Sequence, residues 1–392
     1  MMSRVLAARA LRSFADGFIA VVLPAYLLAL GLGQLDVGLV STATLLGSAL
    51  ATLAVGRWGH RLPIRRLLLA AALLMAATGV GFAAASALWP LLLVGFVGTL
   101  NPSSGDASIF MPLEHTILAA ARDRPAVFAR YSFIGSISGA LGALAAGVPE
   151  LLATRLAPLA GLRLMFVLYG VVGGAVWLLY RALPEADERR HEAKAPLGPS
   201  RRIVWRLAAL FSIDSFAGGL VLNSLLALWL FERYGMSLAA AGAFFFWTGL
   251  LSAGSQLLAA PLAKRIGMVN TMVFTHIPSS LFLIGAAFAS HLPLALGLLL
   301  ARAALSQMDV PARGAFVMTV VTPAERPAAA SFTAVPRSLA AAVSPSLAGA
   351  MFAAGAMAAP LVACGALKIA YDVALFAAFR RTEAAALLAD AD

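Results

Sequence analysis

Ser13-Phe14-Ala15-Asp16-Gly17 returns as Ser215-Phe216-Ala217-Gly218-Gly219 about 202 residues further along the chain. Asp123-Arg124-Pro125 returns at the same offset as Glu325-Arg326-Pro327. Asp106 and Asp309 stand about 203 residues apart, each following an apolar run that opens near a proline, Pro90 and Pro293. The chain is therefore a doubled one, with an acid at matching depth in each half.

Around these anchors, apolar runs of spanning length fall at 11–32, 37–57, 67–87, 90–121, 126–148 and 158–180. A second set falls at 204–231, 236–258, 270–290, 293–321, 328–352 and 358–379. A bilayer core about 30 Å thick takes about 20 helical residues to cross. The pattern predicts an all-α integral membrane protein of twelve transmembrane helices in two pseudo-symmetric six-helix bundles, residues 1–180 and 204–392. The runs at 90–121 and 293–321 are long for one membrane thickness and are expected to tilt or extend beyond it. Between the bundles, 181–203 is polar and opens RALPEADERRHEAKAPLGPSRR, whose prolines, glycine and mixed charges suit a flexible cytoplasmic linker.

Composition agrees. Of 392 residues, 61% are hydrophobic and 12% charged, and mean hydropathy is +0.90, which leaves too little polar surface for a water-soluble chain of this length. The net charge of +11 does not imply nucleic acid, because the basic residues sit in short connections rather than in a stripe interleaved with aromatics. Arg57, Arg61, Arg65, Arg66, Arg122, Arg124, Lys264, Arg265, Arg326 and the terminal Arg4, Arg9, Arg380 and Arg381 lie on one side of the predicted topology. The other side is nearly bare, apart from Arg155, Arg163 and Arg233. The positive-inside rule then places both termini in the cytoplasm of a multi-pass inner-membrane protein. The first run imitates a signal peptide but is too long and lacks a small-residue cleavage site, so it is read as an uncleaved span. The single cysteine, Cys364, excludes an internal disulfide.

Two related apolar halves predict a transporter with its solute site between them, near the membrane midplane. The loop Gly56-Arg57-Trp58-Gly59-His60-Arg61-Leu62-Pro63-Ile64-Arg65-Arg66 resembles the G-x-x-x-D-R-x-G-R-R signature of the major facilitator superfamily, with His60 in place of its acid and Pro63 in place of its turn glycine. Ala260-Pro261-Leu262-Ala263-Lys264-Arg265-Ile266-Gly267 is a fainter copy in the second half. Gly135-Ser136-Ile137-Ser138-Gly139-Ala140-Leu141-Gly142 is loosely similar to the glycine motif of drug/proton antiporters, with Ala140 replacing its proline; Asn101 and Gly105 align with that group's R-x-x-x-G. The resemblance implies secondary transport by alternating access. Arg57, His60, Arg61, Arg65, Lys264 and Arg265 would gate it by holding helix ends, and Gly135 and Gly139 by letting helices approach closely, unless they serve packing alone.

Ionisable side chains inside a membrane cost about 2.5–3.5 kcal/mol each on insertion scales, so those present are candidates for a pathway. Arg302, Ser306, Asp309 and Arg313 share one helical stripe, with Asp309 in reach of Arg302 or Arg313 and with Pro311 expected to kink the helix beside it. Gln307 lies off that stripe. Asn101-Pro102-Ser103-Ser104-Gly105-Asp106 loosens the fourth helix, where freed carbonyls and Asp106 could meet a cation or polar ligand. Asp16 has no acidic counterpart at Gly218, and the resemblance implies a proton carrier there. Arg337 is placed to bind an anion or pair with an acid of the tenth helix. Asp214 is read as a second proton site or a helix end, Glu114 and His115 as a solvated or gate-forming helix end, and Lys368 and Asp372 as an i,i+4 pair.

No phosphate loop, H-E-x-x-H or cysteine pair is present, so neither an enzyme, a cofactor nor a metal is expected. The expected partners are a small-molecule solute, protons and the lipid bilayer, with nothing requiring more than a monomer. Proton-coupled export is the leading reading. A proton-linked importer of an organic acid or sugar, and a non-transporting receptor on the same scaffold, are the alternatives.

Overall fold

The computed structural model of the protein describes residues 1–103, 108–119, 123–184, 198–322 and 325–389. Apart from a 3-10 turn at Gly59–Arg61, their regular structure is α-helical: α1 (Met2–Ala29), α2 (Gln34–Trp58), α3 (Ile64–Ala84), α4 (Leu88–Val97), α5 (Phe110–Leu118), α6 (Arg124–Ala145), α7 (Val148–Leu151) and α8 (Pro158–Arg181). Then follow α9 (Arg201–Gly219), α10 (Asn223–Tyr234), α11 (Leu238–Ile266), α12 (Met268–Ala287), α13 (Leu292–Leu305), α14 (Asp309–Val320), α15 (Arg326–Ala353) and α16 (Ala359–Ala389). Among the described residues, ten stretches suffice by length and composition to cross a membrane. The split α4–α5 run and the 28-residue α15 fall in the two remaining runs, which is consistent with twelve.

Three runs are broken, each for a readable reason. The fourth ends at Gly98 and the Asn101-Pro102 pair, and the seventh breaks after Gly218-Gly219, where α9 stops and α10 restarts. The tenth breaks at 306–308, upstream of the kink expected beside Pro311. Proline stands third in α14, in the first turn, where a missing N–H leaves no intrahelical bond unmade. The break also interrupts the expected stripe, separating Arg302 on α13 from Asp309 and Arg313 on α14.

Contacts divide the chain into two compact units that do not follow the halves of the sequence. One comprises Met1–His191, Leu222–Gly249 and Pro345–Gly355; the other comprises Glu192–Val221, Leu250–Ser344 and Ala356–Asp392. In the first, α1 is deeply buried, its polar side chains Arg9, Arg12, Ser13 and Asp16 included, and is packed on α6, α8 and α10. The approach of α1 to α6 depends on glycine: a Cβ on Gly17 would collide with the main chain of Gly139, and one on Gly142 with that of Phe14. In the second unit, Phe211, Met272, Phe316, Leu375 and Phe379 of α9, α12, α14 and α16 form the core. Trp89, Leu151, Leu257 and Phe288 stand exposed, as apolar side chains do where lipid is the solvent.

Candidate functional site

Each unit holds a buried cluster of charged side chains among the described residues. In the first, α1 carries Arg12 at 2% exposure opposite Glu114 of α5 at 0%, and the two form an ion pair. Tyr131 of α6 and Tyr180 of α8 each donate a hydroxyl to Glu114 at 2.6 Å. The Arg12 guanidinium lies 4.2 Å from the centre of the Phe110 ring, and Arg9 lies 4.8 Å from that of Tyr131. Glu114 is therefore no solvated helix end. A carboxylate at zero exposure is tolerable because three donors from three other helices converge on it. His115, the next residue, packs edge-on against Phe128 and Tyr131.

One turn along α1 from Arg12, Asp16 is also buried. Asn101, in the gap between α4 and α5, lies near its carboxyl, as do Arg12 and Arg9 on α1 itself. The Asn101 side-chain oxygen accepts from the Ser103 N–H at 3.1 Å and from its hydroxyl at 2.7 Å, so its amide nitrogen is the group left to donate to Asp16. Two residues selected independently from the sequence, Asp16 and Asn101, thus meet where the fourth run breaks. Asp106 lies outside the described residues.

In the second unit a chain of charge crosses four helices. Asp309 and Asp214 both bind Arg313, on Nη2 and Nη1 respectively, each at 3.0 Å. The other oxygen of Asp214 accepts from Lys368 Nζ at 2.6 Å. Lys368 lies 3.3 Å from His276 Nε2, and His276 Nδ1 lies 3.0 Å and 3.1 Å from the two oxygens of Asp372. Arg337 Nε donates to Ser215 Oγ at 3.2 Å. Asp214 is thus the junction of the network. Lys368 and Asp372 do not pair with each other; each turns to a different helix. Arg337 meets a hydroxyl on α9 rather than an acid of the tenth run. Arg302 is half-buried on α13, and Ser279 donates to its carbonyl at 3.4 Å. Gln307 lies in the α13–α14 break and is half-buried.

The gating candidates lie at helix ends. Arg65 donates to the Arg181 carbonyl at 2.7 Å, at the C-terminus of α8, where a cation meets the negative end of the helix dipole. Arg57 and Arg61 are exposed, and the His60 side chain lies outside the described residues. In the second copy of the loop, Gly267 alone joins α11 to α12, at φ +90, a conformation that disfavours any side chain. The exposed Lys264 and Arg265 border a cavity of about 670 Å³ shared with Asn270, Pro311 and Arg380. Gly135 lies under the Arg9 guanidinium, which a Cβ there would displace.

With this geometry in place, comparison with known proteins decides the family. The family model described as Major Facilitator Superfamily matches residues 5–307. The chain belongs to the Major Facilitator Superfamily. An uncharacterized membrane protein of Saccharomyces cerevisiae is 26% identical over 358 residues, 80% of this chain and 79% of the yeast protein. Among solved structures, the nucleoside transporter NupG superposes with a TM-score of 0.74 at 13% identity, covering 97% of this chain and 99% of NupG. The inward-open xylose transporter XylE from E. coli gives 0.74 at 16%, covering 96% of each chain. A bacterial homologue of the human lysosomal transporter Spinster gives 0.71 at 17%, covering 99% of this chain and 96% of the homologue. At these identities the superpositions speak for the fold.

As a Major Facilitator Superfamily transporter, the protein keeps its most connected charges where sequence reasoning placed least weight. The sequence reads Glu114 as a helix end because it lies toward the cytoplasmic end of the fourth run. His276 received no assignment at all. A signal for it existed: it is a lone histidine amid the apolar run 270–290, where an ionisable group is as costly as any carboxylate.

Proposed function

We propose that this Major Facilitator Superfamily transporter exports a small organic solute in exchange for protons, with Asp16 among the groups that load and release the proton. The observation that carries the reading is Asp16 itself: a buried carboxyl on the first helix, near the equally buried amide of Asn101 at the break of the fourth run. An amide N–H can donate to a carboxyl in either protonation state, since a protonated carboxyl keeps a carbonyl oxygen that accepts. Arg12, one turn away, is engaged by Glu114. The α6 glycines that resemble the antiporter motif lie against the turns of α1 around Asp16, which supports the direction. Arginine-rich connections support cytoplasmic termini.

The test begins with a thermal-shift screen of the purified protein against metabolites and drugs, which supplies the solute. In proteoliposomes an imposed pH gradient is then expected to drive that solute against the proton flow. Asp16→Asn is expected to lose the response to the gradient while solute–solute exchange continues. Solute moving with the protons would support an importer instead, and no flux under any gradient would support the receptor reading.

A further inference from the structure

We infer that His276 is a second proton-binding site, at which an incoming proton and the Lys368 ammonium compete for one nitrogen. The inference rests on the proton-driven reading above and adds to it a second site, in the other compact unit.

A lysine ammonium donates hydrogen bonds and accepts none. Lys368 Nζ lies 3.3 Å from His276 Nε2, so Nε2 is the acceptor and carries no proton. A neutral imidazole then holds its proton on Nδ1, which faces Asp372 at 3.0 Å and 3.1 Å. Asp372 accepts it as a carboxylate. The tautomer follows from the two neighbours, as it does for any histidine whose ring nitrogens are both engaged.

In that state Asp214 and Asp309 face Arg313 and Lys368, and Asp372 faces the neutral ring. A proton that binds Nε2 makes the ring a donor on both sides, and the Lys368 N–H bond to Nε2 breaks. Lys368 keeps its own protons and its bond to Asp214 at 2.6 Å. The new Nε2–H has one carboxylate oxygen in reach, Oδ1 of Asp214 at 3.9 Å, the same oxygen that Lys368 holds. Protonation therefore sets the imidazolium and the ammonium against each other for one acceptor, and Asp214 passes the disturbance to Arg313 on α14. Three helices, α9, α14 and α16, feel a single proton on α12.

Other groups facing the ring do not change this. Tyr371 of α16 stands edge-on, with ring centres 6.2 Å apart, and its hydroxyl has no partner among the described residues. Cys364, one turn before Lys368 on α16, is buried. From α13, the element also packed on α12, Arg302 presents its main-chain carbonyl to Ser279.

The purified full-length protein, labelled with ¹⁵N-histidine in lipid nanodiscs, gives a direct test, with the His276 signals assigned by their loss in His276→Gln. Above neutral pH the native ring is expected to carry its proton on Nδ1. At a fixed pH of about 6.5, Lys368→Met is expected to raise the protonated-to-neutral ratio about tenfold, and Asp372→Asn to lower it by a similar factor. A proton on Nε2 in the neutral native ring, or a ratio unmoved by Lys368→Met, overturns the inference. Should Lys368→Met fail to fold, the Asp372→Asn arm decides alone, in the same two directions. Gradient-driven flux in the native protein separates the two readings: flux with an unresponsive His276 sinks this site only, while a responsive His276 without flux supports this site and removes proton-driven transport.

Discussion

Arg12 and Asp214 occupy matching places in the two halves, about 202 residues apart, and they carry opposite charge. Opposite Arg12, α5 places the Phe110 ring at 4.2 Å. About 203 residues after Phe110 stands Arg313, and it meets Asp214 at 3.0 Å. The repeat has kept a contact between the first and fourth runs of each half while exchanging its chemistry, a cation on a ring for a cation on an acid. In the first unit the remaining partners of the acid are two neutral phenols, so the cluster closes on itself around Glu114. In the second, Asp214 passes charge to Lys368, and Lys368 to His276. A closed cluster has one good arrangement and holds helices together. An open chain with a titratable ring has two arrangements and can be biased between them.

The sharpest way to break this contrast is to remove Glu114. Glu114→Ala leaves Arg12 buried without its acid, and losing one partner of a buried pair typically costs about 3–5 kcal/mol. A large drop in thermal unfolding temperature in detergent is expected. Arg12→Met combined with Glu114→Met is expected to recover most of it, because the uncompensated charge is gone. If Glu114→Ala left stability untouched and abolished flux alone, the first cluster would be the working one and the contrast would be reversed.

The same contrast explains what the sequence could and could not disclose. The repeat, the twelve runs and the superfamily loop were legible because they depend on periodicity and local spacing, which survive in a linear string. Asp16 and Asn101 were legible because an acid and a proline-flanked amide stand out in apolar runs. The Asp309–Arg313 pair was legible as an i,i+4 spacing on one helix. Lys368 and Asp372 share that spacing and yet do not pair, because Asp214 and His276 offer each a closer partner from another helix. Which helix lies opposite is a tertiary fact that helical spacing does not encode. Glu114 was hidden for the same reason, since its donors come from α1, α6 and α8.

A smaller effect sharpens the comparison through a pair of tyrosines. Tyr169 and Tyr371 match at the repeat offset, and both are buried. Tyr169 donates to the Thr99 carbonyl at 2.9 Å, whereas the Tyr371 hydroxyl has no partner among the described residues. A satisfied hydrogen bond contributes about 1 kcal/mol net, and an unmet buried hydroxyl contributes nothing favourable. Tyr169→Phe is expected to lower the unfolding temperature by that equivalent, and Tyr371→Phe to leave it level or raise it. Equal losses would show that the second unit satisfies its hydroxyl and is as closed as the first.

The smallest effect needs pH to be seen, and it concerns the repeated acid before α6 and α15. Asp123 caps α6, accepting the Ala126 N–H at 3.2 Å. Its counterpart Glu325 instead ties down the end of the inter-half segment: it accepts from the Thr322 hydroxyl at 2.6 Å and from the backbone of Ser200 at 3.3 Å and of Gly198. Hydrogen bonds from Ser200 and then Thr322 hold its carboxyl down at about 2, below its ordinary 4.5. A lowered folded-state value means that the contribution is complete above pH 4.5 and is lost as pH falls from there through 2. The unfolding temperature of the native protein is therefore expected to decline more steeply below pH 4.5 than that of Glu325→Gln. Asp123→Asn keeps a good cap and is expected to be silent across the same range. Parallel acid-side slopes for native protein and Glu325→Gln would mean that the two repeats use this acid alike, as a helix cap, and that the divergence between the halves stops at their buried clusters.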